Sequence, residues 1–202
     1  MNPRLARWLS VFLHPVWMPT YALFILFRLN NYLRVTVSPQ MQWMIFAVVV
    51  LNTILIPLGI TYLLFNKGWV RTFDMEDREE RIIPYITNAL CLLLAYYMMK
   101  KLQAPNMVCL MMLGAVAAVV VAVIVNLRWK ISIHLIGIGG LTGLFFGLST
   151  VLLIDLHLPI LVSILTAGLL GTARLSLNAH RPSQIYAGFF VGFVCEFVML
   201  AA

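Results

Sequence analysis

Three stretches of this sequence gather the residue types that handle phosphate. The first spans 74–84 and reads Asp74-Met-Glu-Asp-Arg-Glu-Glu-Arg81-Ile-Ile-Pro84. Arg78 and Arg81 lie in it, and a planar guanidinium grips phosphate through two parallel hydrogen bonds. Its carboxylates offer a different chemistry. Asp74 and Asp77 suit Mg²⁺, which is held by one or two carboxylates together with substrate phosphates. A structural alternative is an interfacial helix laced by the i,i+4 pairs Asp74–Arg78 and Asp77–Arg81. The second stretch is Lys130-Ile-Ser132-Ile-His134. Ser132 is expected to cap a helix, with His134 in its first turn, and the free amides of a helix start attract anions. The third is Arg174-Leu-Ser-Leu-Asn-Ala-His180-Arg-Pro-Ser-Gln184. His180 and Gln184 share an i,i+4 spacing, which puts two side chains on one helical face. Taken singly, the last two stretches also fit interfacial histidines and snorkelling arginines.

The elements that must position these groups are membrane helices. Hydrophobic residues make up 62% of the 202 positions and charged residues 10%, against roughly a quarter charged in soluble domains. Such a chain has no water-facing surface to spare, and hydrocarbon admits only helices or closed barrels. The apolar runs lack period-2 alternation and fit helices. They cover about 9 or 15 to 27, then 43–65, 83–99, 107–125, 133–153, 158–175 and 185–200. The expected fold is an all-α polytopic bundle of six or seven transmembrane helices in one domain, 1–202. The start, with Arg4 and Arg7 before an apolar stretch, lacks a small-residue cleavage site and is expected to stay. Cys91, Cys109 and Cys195 each sit inside an apolar run and read as packing residues.

With seven crossings, the connections after the second, fourth and sixth spans fall on one face. They hold the three phosphate-handling stretches, and the N-terminus and His14 join them. Arg28, Arg34, Lys100, Lys101, Asp155 and His157 fall on the other face. Of the 14 Lys and Arg, ten (Arg4, Arg7, Lys67, Arg71, Arg78, Arg81, Arg128, Lys130, Arg174 and Arg181) share the first face. The positive-inside rule places that face in the cytoplasm. If five or six of these cations bind substrate, the remainder split about evenly and the rule stops deciding. The net charge of +7 points to topology and anionic lipid rather than nucleic acid.

Together the stretches resemble the type 2 phosphatidic acid phosphatase superfamily, in a divergent bacterial branch. That family carries Lys-x6-Arg-Pro, then Pro-Ser-Gly-His, then Ser-Arg-x5-His-x3-Asp. Ala173-Arg174, His180 and Gln184 keep the full spacing of the third motif. Ser132 and His134 match the second, with Ile131 and Ile133 for its Pro and Gly. In the first, Arg81 matches the arginine, Pro84 comes two residues late and Asp74 stands at the lysine. The frame Arg71-x6-Arg78 keeps a cation but loses the proline. The resemblance covers roughly 71–192. It implies metal-independent hydrolysis of a lipid phosphate or diphosphate, isoprenoid or glycerolipid, in a bacterial inner membrane. His180 would attack phosphorus and form a phosphohistidine. Arg174 and Arg81, with Lys130 or Arg78 for the missing lysine, would neutralise the phosphoryl oxygens, helped by amides near Ser132. His134 would protonate the leaving alkoxide. Gln184 replaces the family's Asp; an amide oxygen orients an imidazole but does not stabilise its positive charge.

Two other functions fit the same residues: a Mg²⁺-dependent phospho- or prenyl-transferase using Asp74 and Asp77, and a non-catalytic lipid-phosphate binder or transporter. Gly137, Gly139, Gly140, Gly143 and Gly147 predict close packing of the fifth span. Glu196, ionisable within the last span, is a site candidate; its position near the far face also allows snorkelling. His157 is expected to be structural.

Overall fold

The computed structural model describes residues 1–29, 32–69 and 81–201. Among the described residues the regular structure is helical throughout: α1 (Pro3–Phe12), α2 (Met18–Arg28), α3 (Tyr32–Thr36), α4 (Pro39–Val50), α5 (Ile56–Asn66), α6 (Ile82–Lys101), α7 (Asn106–Asn126), α8 (Ile133–Leu152), α9 (His157–Ser176) and α10 (Pro182–Ala201). Seven stretches are long and apolar enough to cross a membrane, and the chain is an all-α integral membrane bundle. Five crossings are single helices. The other two are interrupted.

The first crossing, Pro3–Arg28, starts earlier than hydropathy indicated and breaks at His14-Pro15, where the 3₁₀ turn Pro15–Trp17 leads into α2. Proline has no amide hydrogen and resists helical geometry before it, so α1 ends there. Asn2 caps α1 by accepting from the Arg4 amide at 2.9 Å. Helix α1 is amphipathic: Ala6 and Ser10 are buried, whereas Leu5, Trp8 and Phe12 form an exposed apolar stripe beside Arg4 and Arg7. That distribution suits a helix that turns one apolar face to lipid. The second crossing, Pro39–Asn66, contains a π-helical turn at Leu51–Leu55. Such one-turn π insertions cluster at functional sites.

The densest packing joins α8 to α10, which run parallel because α9 returns between them. Glycines make this approach possible. A Cβ on Gly139 or Gly143 would collide with the carbonyl oxygens of Phe189 or Phe193. A Cβ on Gly192 would meet the Ile136 carbonyl, and one on Gly188 would lie 2.6 Å from the Ser132 carbonyl. Small residues let helix backbones touch in lipid, where no hydrophobic force drives helices together.

At the opposite end, Arg28 lies over Phe24, Lys101 over Tyr97 and Lys100 over Tyr96, with cation-to-ring distances of 5.1, 4.9 and 6.0 Å. These cations sit where long side chains reach the interface across aromatic faces. Just before α9, Asp155 accepts from the His157 amide at 3.0 Å and meets its ring Nδ1 at 2.6 Å, an exposed pair. The cysteines are free, with Cys91 and Cys109 buried.

Candidate functional site

The chain leaves α9 through a turn that aims His180 inward. Asn178 adopts a left-handed conformation (φ 51°), and the Ala179 amide reaches back to the Arg174 carbonyl at 3.1 Å. This is the closure that commonly ends helices, and asparagine tolerates the left-handed residue it needs. Pro182 then opens α10, where its missing amide hydrogen costs nothing. Arg174 and His180 are thereby held at the same end of the bundle, both buried.

Gln184 lies in the first turn of α10 and fixes the orientation of His180. Its Oε1 accepts from the Arg181 amide at 3.0 Å and contacts His180 Nδ1 at 3.1 Å. A backbone N–H only donates, so the shared atom is the amide oxygen and Nδ1 carries the imidazole hydrogen. Nε2 is left with the lone pair. Burial, followed by the charges of Arg81, Arg174 and Lys130, lowers the His180 pKa to about 3, against the opposing hydrogen bond to Gln184. His180 is therefore neutral near pH 7, the form in which an imidazole attacks.

The second motif comes from the start of α8. His134 Nε2 donates to the Ser10 carbonyl at 3.2 Å, which leaves Nδ1 as an acceptor, and it has no partner among the described residues. The ring of His14 meets that of His134 edge-on, centroids 5.0 Å apart. Ser132 occupies the cap position, but its side chain makes no cap bond, contrary to expectation. Its backbone extends so that the amide reaches the Gln184 carbonyl at 3.4 Å, tying the starts of α8 and α10 together. The Ser132 hydroxyl is buried and unpartnered.

Arg174 donates to the Ser10 hydroxyl at 3.3 Å, and that hydroxyl donates to the Ala6 carbonyl at 2.9 Å. Arg81, buried at the start of α6, stands beside Tyr85 one turn on. Arg81, Lys130, Ser132, His134, Arg174, His180 and Gln184 thus converge at one end of the bundle, although they come from the start of α6, the α7–α8 connection, α8, α9, the α9–α10 connection and α10. Arg78, Asp74 and Asp77 lie outside the described residues. Among the described residues no group of three or more His, Cys, Asp or Glu could hold a metal.

Sequence reading missed Ser10 and Tyr85. Tyr85 stands four residues after Arg81, a spacing the sequence offered, whereas Ser10 is brought in by the packing of α1, which no local spacing gives. Glu196 was misplaced by the snorkelling alternative. It is 5% exposed and points into the bundle, with Oε2 unpartnered among the described residues. No family model matches this chain, and neither does any curated protein or solved structure.

Proposed function

We propose that this protein is a lipid phosphate or diphosphate phosphatase that works through a phosphohistidine on His180, in a bacterial inner membrane. One observation carries the reading: a neutral His180, its Nδ1–H committed to Gln184, is flanked by the buried cations Arg81 and Arg174. Arg81 and Arg174 bring two guanidiniums to the end of the bundle that holds His180, and phosphate matches their planar donor geometry. In the first step Nε2 of His180 bonds to phosphorus as the bond from phosphorus to the lipid oxygen breaks. The leaving oxygen takes the proton carried by the monoanionic phosphate, passed through Nδ1 of His134, which begins and ends neutral. In the second step water attacks phosphorus, the N–P bond breaks, and Nδ1 of neutral His134 takes the proton of the water. Arg81, Arg174 and the Ser132 hydroxyl stabilise charge on the phosphoryl oxygens throughout.

Purified protein in lipid nanodiscs is expected to release phosphate from a lipid phosphate, with full activity in the presence of a chelator. His180→Ala should lower the rate by at least about a thousandfold, the scale for removing a nucleophile. Turnover by that variant at the normal rate would overturn the mechanism. A second reading is favoured by Gln184, which brings no carboxylate to His180: a lipid-phosphate binder without hydrolysis. It predicts saturable binding that needs Arg174 and no phosphate release.

A further inference from the structure

Below the histidines the bundle holds a partly open pocket of about 70 Å³. Its upper wall includes Pro15, Ile133 and Gly137, next in the chain to His14, His134 and the first turn of α8. Deeper, Thr53, Asn88 and Glu196 line it. Most of the lining is apolar, as ligand pockets usually are, with a few placed polar groups.

Two of those polar groups lack partners. Thr53 Oγ1 and Glu196 Oε2 are buried, 1% and 5% exposed by residue, with no hydrogen bond among the described residues. A buried polar group left unpaired is costly, and each such case calls for an explanation. Thr53 stands in the π-helical turn of the second crossing. The carboxyl of Glu196 is accommodated by glycines on two neighbouring helices. A Cβ on Gly114 would collide with the carboxyl, and one on Gly140 would lie 3.3 Å from Glu196 Cγ. Side chains larger than glycine would fill the niche that this acid occupies.

We propose that this cavity binds the linkage region of a phospholipid, the part beside the phosphate that carries a hydroxyl or amide N–H. Glu196 then selects such lipids over a phosphate on a purely hydrocarbon polyprenyl chain. The inference rests on the phosphatase reading for the position of the phosphate. Depth supports it. Gly140 follows His134 by six residues, about 9 Å of helix rise. The Glu196 side chain lies level with Gly140, so about 9 Å separates it from the first turn of α8 along the helix axis. Thr53 and Asn88 add hydroxyl and amide groups, which a hydrocarbon chain leaves unsatisfied. A site built to bond a ligand hydroxyl discriminates strongly against the analogue that lacks it.

The test uses the full chain in nanodiscs and displacement of a fluorescent lipid phosphate by three competitors: a 1-acylglycerol 3-phosphate, its 2-deoxy analogue and a polyprenyl phosphate. The hydroxylated lipid should outcompete the deoxy analogue by about two- to tenfold, the scale of one hydrogen bond between neutral groups. Glu196→Leu should abolish that preference without weakening the deoxy lipid, and Glu196→Gln should keep part of it. Equal displacement by the hydroxylated and deoxy lipids in the unaltered protein overturns the inference, and this comparison needs no variant to fold. If Arg174→Ala weakens all three competitors, the phosphate site stands whatever the cavity does. If none of the three binds, or Arg174→Ala changes nothing, the phosphate reading fails and takes this inference with it.

Discussion

Replacing Gln184 by Glu puts a negative charge on the atom that now holds His180 through an amide oxygen. The Nδ1–Oε1 separation is 3.1 Å. With charge centres about 4 Å apart and an effective dielectric near 20, Coulomb attraction between imidazolium and carboxylate is about 4 kcal/mol. That corresponds to roughly 3 pKa units at about 1.36 kcal/mol per unit. Desolvation of the new carboxylate opposes this, so a rise of about 1–3 units is expected. The starting point for His180 is about 3. Attack needs the neutral ring, so the acid limb of kcat/KM should move upward in pH by the same amount. At pH 7 the carboxylate also stabilises the positive charge that develops on His180 as the N–P bond forms. A gain of about 1.4–2.7 kcal/mol there raises the rate ten- to a hundredfold. The assay is phosphate release from a lipid phosphate between pH 4 and 9, with His180 followed in parallel by NMR of labelled imidazole. An unmoved titration would refute the electrostatic account of the site. A moved titration with an unchanged or lower rate would refute the role of His180 as nucleophile.

The pH dependence of stability follows from the same residue. Unfolded His180 binds a proton near pH 6.5, whereas the folded form waits until about 3. The folded state is thus undiminished above pH 6.5 and loses stability as pH falls toward 3, by about 3 kcal/mol at pH 4. Thermal unfolding across that range should show the decline, and His180→Asn should flatten it. Ser10→Ala removes the hydroxyl that receives Arg174; KM for a lipid phosphate should rise about fivefold with kcat little changed, as for loss of one hydrogen bond. Gly143→Ala forces a Cβ against the Phe193 carbonyl and should cost about 1–3 kcal/mol, read as a lower unfolding temperature in detergent.

The membrane crossings were legible because hydrocarbon imposes one requirement on every residue of a span, and that requirement shows locally in the sequence. The grouping of Arg81, His134, Arg174 and His180 at one end follows from counting crossings. The contact from Gln184 to His180 lies within a single helical turn, so its spacing was readable as well. What escaped depends on which helix packs against which. Ser10 serves the site only because α1 folds back to bring its carbonyl to His134 and its hydroxyl to Arg174. Glu196 sits far along the last span, and hydropathy does not say which neighbour it faces; the answer lay in Gly114 and Gly140. The π turn at Leu51–Leu55 and the missing cap bond of Ser132 are likewise settled by tertiary packing, which overrides local preference.

Helix α1 touches two environments at once. Ser10 on its inner side accepts from Arg174, while Leu5, Trp8 and Phe12 on its outer side are 52%, 62% and 61% exposed. In a bilayer those three side chains settle among the acyl chains just below the head groups, to a depth that depends on how tightly the lipids pack. The alignment of Arg174 is therefore mechanically tied to the leaflet outside the protein. Thickening, thinning or curving that leaflet shifts α1, and with it the Ser10 contacts to both Arg174 and His134. The surrounding membrane thus takes part in setting the geometry of the site.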